Sequence, residues 1–160
     1  MSATDTSWGA ASAHLAALGV PEDTGFYGEF TGEDEKAVLT IPQRITHAWA
    51  TNDPDAFADT FTENGSVLLQ DNQLTSREEI REYLRRAFEG GLAGARVTGV
   101  PLDVKFLAPG VAIAITEGGI VLPGETEIAP ERRIRAVWVV VRGTDGTLSL
   151  ISHQSSPIAS

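Results

Sequence analysis

Cysteine is absent from this 160-residue chain, which excludes disulfides, thiol nucleophiles and thiolate metal sites. Positive charge is scarce: 12 Lys and Arg stand against 22 Asp and Glu, a formal net charge of −10. A surface this acidic repels phosphate backbones and anionic lipid, so neither nucleic acid nor a membrane surface is an expected partner. The dense basic clusters, Arg81, Arg85, Arg86 and Arg132, Arg133, Arg135, are interleaved with glutamates and read as solvated surface. No apolar run approaches the ~18 residues that a membrane span needs. No Lys or Arg precedes Lys36, so the cationic start of a secretory signal is missing and a cytoplasmic address is expected. Metalloprotease, nucleophile-elbow, phosphate-loop and dinucleotide fingerprints are all absent. The histidines, His14, His47 and His153, are scattered, so no metal and no other cofactor is expected.

What is present suits one globular domain: 42% hydrophobic and 21% charged residues bury an ordinary core. Residues 1–32 differ from the rest, rich in Ala, Gly, Ser and Thr with scattered aromatics at Trp8, Phe26, Tyr27 and Phe30. They read as a partly mobile N-terminal extension, with a short helix around Ala10–Leu18. A helix is expected from about Gly32 to Asn52, with Val38, Ile41, Ile45, Ala48 and Trp49 on one stripe. Pro42 kinks or breaks it, and Thr40 to Gln43 matches a capping box. Asp53 and Pro54 open a second helix carrying Phe57 and Phe61, which Asn64–Gly65 ends. Val67–Gln70 reads as a short strand. Ser76 to Glu79 caps a helix striped by Ile80, Tyr83, Leu84, Ala87 and Phe88, with Glu82–Arg86 and Arg85–Glu89 pairs outside.

Beyond Gly90–Gly91 the period changes to two. Val100, Leu102, Val104 and Phe106 alternate with Pro101, Asp103 and Lys105, Pro101 marking an edge or a bulge. Val111–Leu122, Glu131–Arg142 and Leu148–Ser156 complete four long strands, with turns at Pro109–Gly110 and Asp145–Gly146. Helices first and strands after predict an α+β fold, an antiparallel sheet with helices packed on one face.

Four stretches carry a family resemblance: IPQRITHAWATNDPDAFADTFTENGSVLL (41–69), SREEIREYLRRAF (76–88), TEGGIVLPGETEIAPERRIRAVWVVVR (116–142) and HQSSP (153–157). They resemble the SnoaL-like branch of the NTF2-like superfamily. Within it they are most similar to the SgcJ/EcaC-like group associated with polyketide and enediyne antibiotic clusters of actinomycetes. The resemblance covers residues 33–157. It implies a cone-shaped, curved antiparallel sheet wrapped around about three helices with an internal pocket, and a homodimer through the outer sheet face. It implies a small apolar or polyketide-like ligand, with a polyketide-pathway enzyme as a partner. Isomerases, cyclases, dehydratases and members without known activity share this fold, so chemistry has to come from the site. Isomerase-type relatives hold an aspartate base in the short strand after the second helix; here Leu69 falls about where it belongs, which puts that base in doubt.

Candidate residues follow from polarity in unexpected places. Glu117 shares a strand face with Val111, Ile113 and Ile115. If that face is the interior, it is a carboxylate in an apolar cavity, suited to general acid or base work; otherwise it pairs with Arg133 or Arg135 across the ladder. His153 and Gln154 lie on opposite faces of the last strand, so at most one faces a pocket. His153 suits proton transfer and Gln154 suits orienting a substrate oxygen. Trp49, Phe57, Phe61, Tyr83 and Trp138 make a wall for a flat ligand, with Tyr83 also offering a hydroxyl to a carbonyl. Arg133 is a rim charge or plain surface. Two functions remain open: a cofactor-independent enzyme that moves a proton in, cyclises or dehydrates a polyketide-like intermediate, and a non-catalytic pocket that shields such a molecule or hands it on. A third alternative is a dimer whose pocket is filled by its own tail, Phe26–Phe30.

Overall fold

A computed structural model describes residues 7–69 and 71–158. Helix α1 is Ala11–Ala17, followed by a 3₁₀ turn at Thr24–Tyr27. Helices α2 (Glu33–Val38), α3 (Thr40–Ala50) and α4 (Pro54–Asp59) lead into strands β1 (Phe61–Leu69) and β2 (Asn72–Leu74). Helix α5 (Arg77–Glu89) then precedes β3 (Arg96–Ala108), β4 (Val111–Val121), β5 (Arg133–Arg142) and β6 (Leu148–Pro157). The strands form one sheet of six in the order β2-β1-β6-β5-β4-β3. Every pairing is antiparallel except β1 with β6, which run parallel. The expected α+β architecture, a curved sheet around helices, is observed.

The long helix expected across Gly32–Asn52 is broken, with Leu39 between α2 and α3. The capping box at Thr40 does not form. Thr40 Oγ1 donates to Ala37 O at 2.7 Å, and Gln43 accepts instead from Asp23 N at 2.7 Å. Pro42 thus sits in the first turn of α3, where its missing N–H is tolerated. The Asp53 cap is formed, its carboxylate accepting from Ala56 N at 3.0 Å. Helix α4 stops at Asp59, earlier than Asn64–Gly65 suggested, and Phe61 already belongs to β1. Asn64 and Gly65 instead lie where the ladder jumps from Phe61 opposite Leu150 to Ser66 opposite Ser152. At α5, Ser76 accepts from Glu79 N, but the Glu79 carboxylate reaches Thr75, not Ser76. Arg85 and Arg86 both pair with Glu82, not Glu89. The expected strand at Val67–Gln70 is the end of β1; Gln70 itself lies outside the described residues.

The core joins the α3–α5 stripe (Ile41, Ile45, Trp49, Phe57, Ile80, Leu84, Phe88) to the inner sheet face, all at most 3% exposed. Phe61 stacks on Phe57 with centroids 5.7 Å apart. Arg44 is driven down to about 10 by burial. Its guanidinium donates to Leu148 O (2.9 Å) and Asp59 O (3.3 Å), tying α3 to β6 and to the end of α4. The N-terminal extension is folded back: Trp8 is buried against Phe106, centroids 5.5 Å apart, and Trp8 N donates to Asp34 at 2.9 Å.

One inversion decides where the site lies. On β4 the small residues Ala112, Ala114 and Thr116 are buried, whereas Val111, Ile113 and Ile115 face the other way and are only half-buried. Large side chains from the helices already fill the concave side, so the strand presents small ones there. On β3 a bulge between Pro101 and Asp103 interrupts the alternation, leaving Val100 and Leu102 exposed and Val104 buried. Among the described residues no helix is long and apolar enough to cross a membrane.

Candidate functional site

A cavity of about 240 Å³ lies between α3 and the concave face of β3–β6. Helix α3 supplies Pro42, Ile45, Thr46 and Trp49, and α4 supplies Phe57. The sheet supplies its inward residues, among them Thr116, Ala136, Trp138, His153 and Ser155. Period two explains the set. Trp138 and His153 are direct cross-strand partners, and Ala136 sits opposite both Thr116 and Ser155, so all five share one face.

His153 is the chemical centre of this wall. Its ring stacks on Trp138 with centroids 3.7 Å apart and planes inclined by 20°. Nδ1 lies 3.3 Å from Val137 O. A carbonyl only accepts, so Nδ1 carries the proton and Nε2 is left as a lone-pair acceptor. Burial pushes the imidazole down to about 4, against the opposing pull of Val137 O. The ring is therefore neutral at physiological pH. Trp138 is fixed in turn, its Nε1 donating to Thr116 Oγ1 at 2.8 Å. The other polar side chains on the lining are Thr46, Thr98, Ser155 and Arg132. Arg132 is held by Glu125 and donates through Nε to Ile120 O at 3.4 Å. Among the described residues no carboxylate lines the cavity, and no group of His, Asp and Glu is arranged to hold a metal.

The sequence candidates divide. Trp49, Phe57, Trp138 and His153 meet in the cavity. Phe61 does not line it and packs behind Phe57 in the core. Tyr83 lies in a separate depression with Arg86 and Leu92, its hydroxyl accepting from Asn72 at 3.2 Å. Glu117 and Arg133 are on the convex face: Glu117 bonds Arg135 at 3.1 Å and Arg133 at 3.2 Å. The interior position considered for Glu117 is thus corrected, because Thr116, not Glu117, points inward. Gln154 is also on the convex side, its amide donating to Ser152 Oγ at 3.3 Å. Leu69 lines the cavity. Sequence reasoning missed Thr46, Thr116, Arg132 and Ser155; it offered Phe26 as part of a tail filling the pocket, where the structure makes it part of the lining. The inward alternation from Trp138 through Ala136 was the signal that would have located Thr116 and Ser155.

Gly99 and Gly118, both on the cavity lining, have a structural cause. A Cβ on Gly118 would fall 2.0 Å from Thr98 O, and one on Gly99 would fall 2.8 Å from Glu117 O. The paired β3 and β4 backbones therefore leave no room for a Cβ at these two lining positions.

A model of the SnoaL-like domain matches residues 31–148. No curated protein matches the sequence. Among solved structures, the chain is similar to a domain of unknown function with a cystatin-like fold from Nostoc punctiforme, at 24% identity and a TM-score of 0.73, covering 81% of this chain and 80% of that one. It is similar to an uncharacterized protein with a cystatin-like fold from Caulobacter vibrioides, at 21% identity and a TM-score of 0.63, covering 80% and 92%. It is also similar to an NTF-2 like protein of unknown function from Shewanella oneidensis, at 12% identity and a TM-score of 0.62, covering 74% and 95%. At such identities the likeness is one of fold.

Proposed function

The chain belongs to the SnoaL-like domain family, and from that premise we propose that it is a cofactor-independent enzyme moving a proton on a small, largely apolar molecule bound beside His153. The observation carrying this reading is a buried, neutral imidazole whose Nδ1 is anchored on Val137 O and whose Nε2 has no hydrogen-bond partner among the described residues. In the proposed step His153 Nε2 takes a proton from a carbon next to a ligand carbonyl. The C–H electron pair becomes the enolate, and the imidazolium, after exchanging its proton with solvent, returns a proton at a second carbon. Atoms and charge balance without a cofactor. A base that is weak in the empty cavity strengthens as the enolate charge develops beside it.

Size narrows the ligand. Engineered cavities of ~150 Å³ hold benzene, and drug-sized ligands need ~300 Å³ or more. At about 240 Å³ this cavity suits one or two rings. A lone-pair acceptor in an apolar wall favours a phenol or enol, which brings its own donor. We read such a molecule as a polyketide- or enediyne-type intermediate of secondary metabolism, a reading supported by the sequence resemblance to the SgcJ/EcaC-like group. The half-buried apolar convex face (Ile113, Ile115, Val137, Val139) suits the homodimer that the resemblance implies.

A second reading is favoured by one observation: with Glu117 on the convex face, no carboxylate among the described residues joins His153 in the lining. The pocket then holds a reactive intermediate without turnover and passes it to a pathway enzyme. The discriminating experiment recovers the bound metabolite by native mass spectrometry and incubates it with the protein in D2O. Carbon-bound deuterium incorporated by wild type and not by His153→Gln supports the enzyme. Binding without any incorporation sinks it and leaves the carrier.

A further inference from the structure

The family match begins at residue 31, yet one wall of the cavity comes from before it. Phe26, on the 3₁₀ turn Thr24–Tyr27, lines the cavity with Thr46 and Thr98. Its ring is half-buried. The turn packs on β3 and is fixed to α3 through one side chain. Gln43, 5% exposed, accepts from Asp23 N at 2.7 Å, and Asp23 caps the turn by accepting from Gly25 N and Phe26 N. Tyr27, 4% exposed, donates to Glu22 at 2.6 Å and lies under Lys36, 5.5 Å from the ring centroid. Beyond the turn, Gly28 takes φ 55°, which lets the chain leave sharply after Tyr27. Pro42, beside Gln43, itself lines the cavity, so the latch and the wall share one turn of helix.

We propose that the N-terminal extension is part of this chain's binding site, with Phe26 as a ligand-contacting, specificity-determining residue and Gln43 as the residue that positions it. The proposal rests on reading the His153 cavity as the ligand site. A planar one- or two-ring ligand gains an aromatic edge or face from Phe26 in addition to the Trp138–His153 wall. Relatives that share only the matched domain carry no equivalent contact from that match, so the extension separates this chain's ligand preference from theirs.

The test uses 2-naphthol as a two-ring phenol probe, followed by quenching of Trp49 and Trp138 fluorescence in the full chain. Phe26→Ala is expected to weaken binding about tenfold, and Phe26→Leu to recover most of it. Gln43→Leu is expected to weaken binding severalfold on the wild-type background and to add nothing on the Phe26→Ala background, which a merely stabilising role would not produce. Equal affinities for wild type and Phe26→Ala overturn the inference and leave the proposed function standing. If wild type takes up no 2-naphthol, the two-ring reading of the cavity falls, and a second measurement still decides the role of Phe26. The chain has no cysteine, so Ser155→Cys places a single thiol on the cavity wall. Alkylation of that thiol by iodoacetamide should be at least fivefold faster with Phe26→Ala than with Phe26 present; equal rates overturn the inference.

Discussion

The imidazole of His153 and the indole of Trp138 form a parallel stack across the β5–β6 ladder, 3.7 Å between centroids. The stack removes one face of the imidazole from water, and the bond to Val137 O fixes its tautomer. Position, protonation and direction of the single Nε2 lone pair thus follow from three neighbouring residues of one hairpin.

Stability should fall on acidification through His153. Its folded value, about 4, lies below the ordinary 6.5. Between those two values the unfolded chain binds more protons than the folded one, so stability rises with pH there. The contribution, about 3 kcal/mol, is fully present above pH ~6.5 and gone below pH ~4. Urea unfolding of wild type and His153→Gln across this window checks it: the wild-type curve should lose about that much more than the variant's.

Trp138→Phe keeps most of the stacking area but removes the indole N–H that bonds Thr116 at 2.8 Å. A loss of about 1–2 kcal/mol is expected, because the Thr116 oxygen is left buried. In a double-mutant cycle with Thr116→Val, most of that loss should disappear.

Glu117→Gln should leave ligand affinity and any turnover unchanged. Its partners Arg133 and Arg135 are more than half exposed in their side chains, so stability should change by less than about 1 kcal/mol. A large loss of binding in this variant would restore the interior role that the structure removes.

The proposed convex-face dimer is testable by charge insertion. Val137 is 40% exposed at the centre of that face. Val137→Lys should convert a dimer to a monomer in sedimentation velocity without changing the far-UV spectrum. A protein that sediments as a monomer before substitution contradicts the proposed assembly.

The sequence showed the helix stripes, the Asp53 cap, the four long strands and three of the five wall aromatics, Trp49, Phe57 and Trp138, since each rests on a local signal. It did not show which face of β4 is concave. Val111, Ile113 and Ile115 look like core, yet curvature around the helices reserves the inside for Ala112, Ala114 and Thr116. That single choice puts Glu117 and Gln154 outside, and it leaves Arg133 as plain surface beside Glu117. The sequence suggested Phe26–Phe30 as a tail filling the pocket but did not show Phe26 as a fixed part of its wall. The place of Phe26 depends on Gln43 accepting from Asp23 N, 20 residues away in sequence, and such a bond has no periodic signature.

The central claim is that His153 presents a neutral Nε2 acceptor to a ligand in the cavity, and long-range 1H–15N spectra of the histidine side chains test it most directly. At pH 7 His153 should be the Nδ1–H tautomer, should resist protonation until about pH 4, and should show its Nε2 resonance shift when 2-naphthol is added. An Nε2–H tautomer, titration near the ordinary 6.5, or an Nε2 resonance unmoved by bound probe would contradict it.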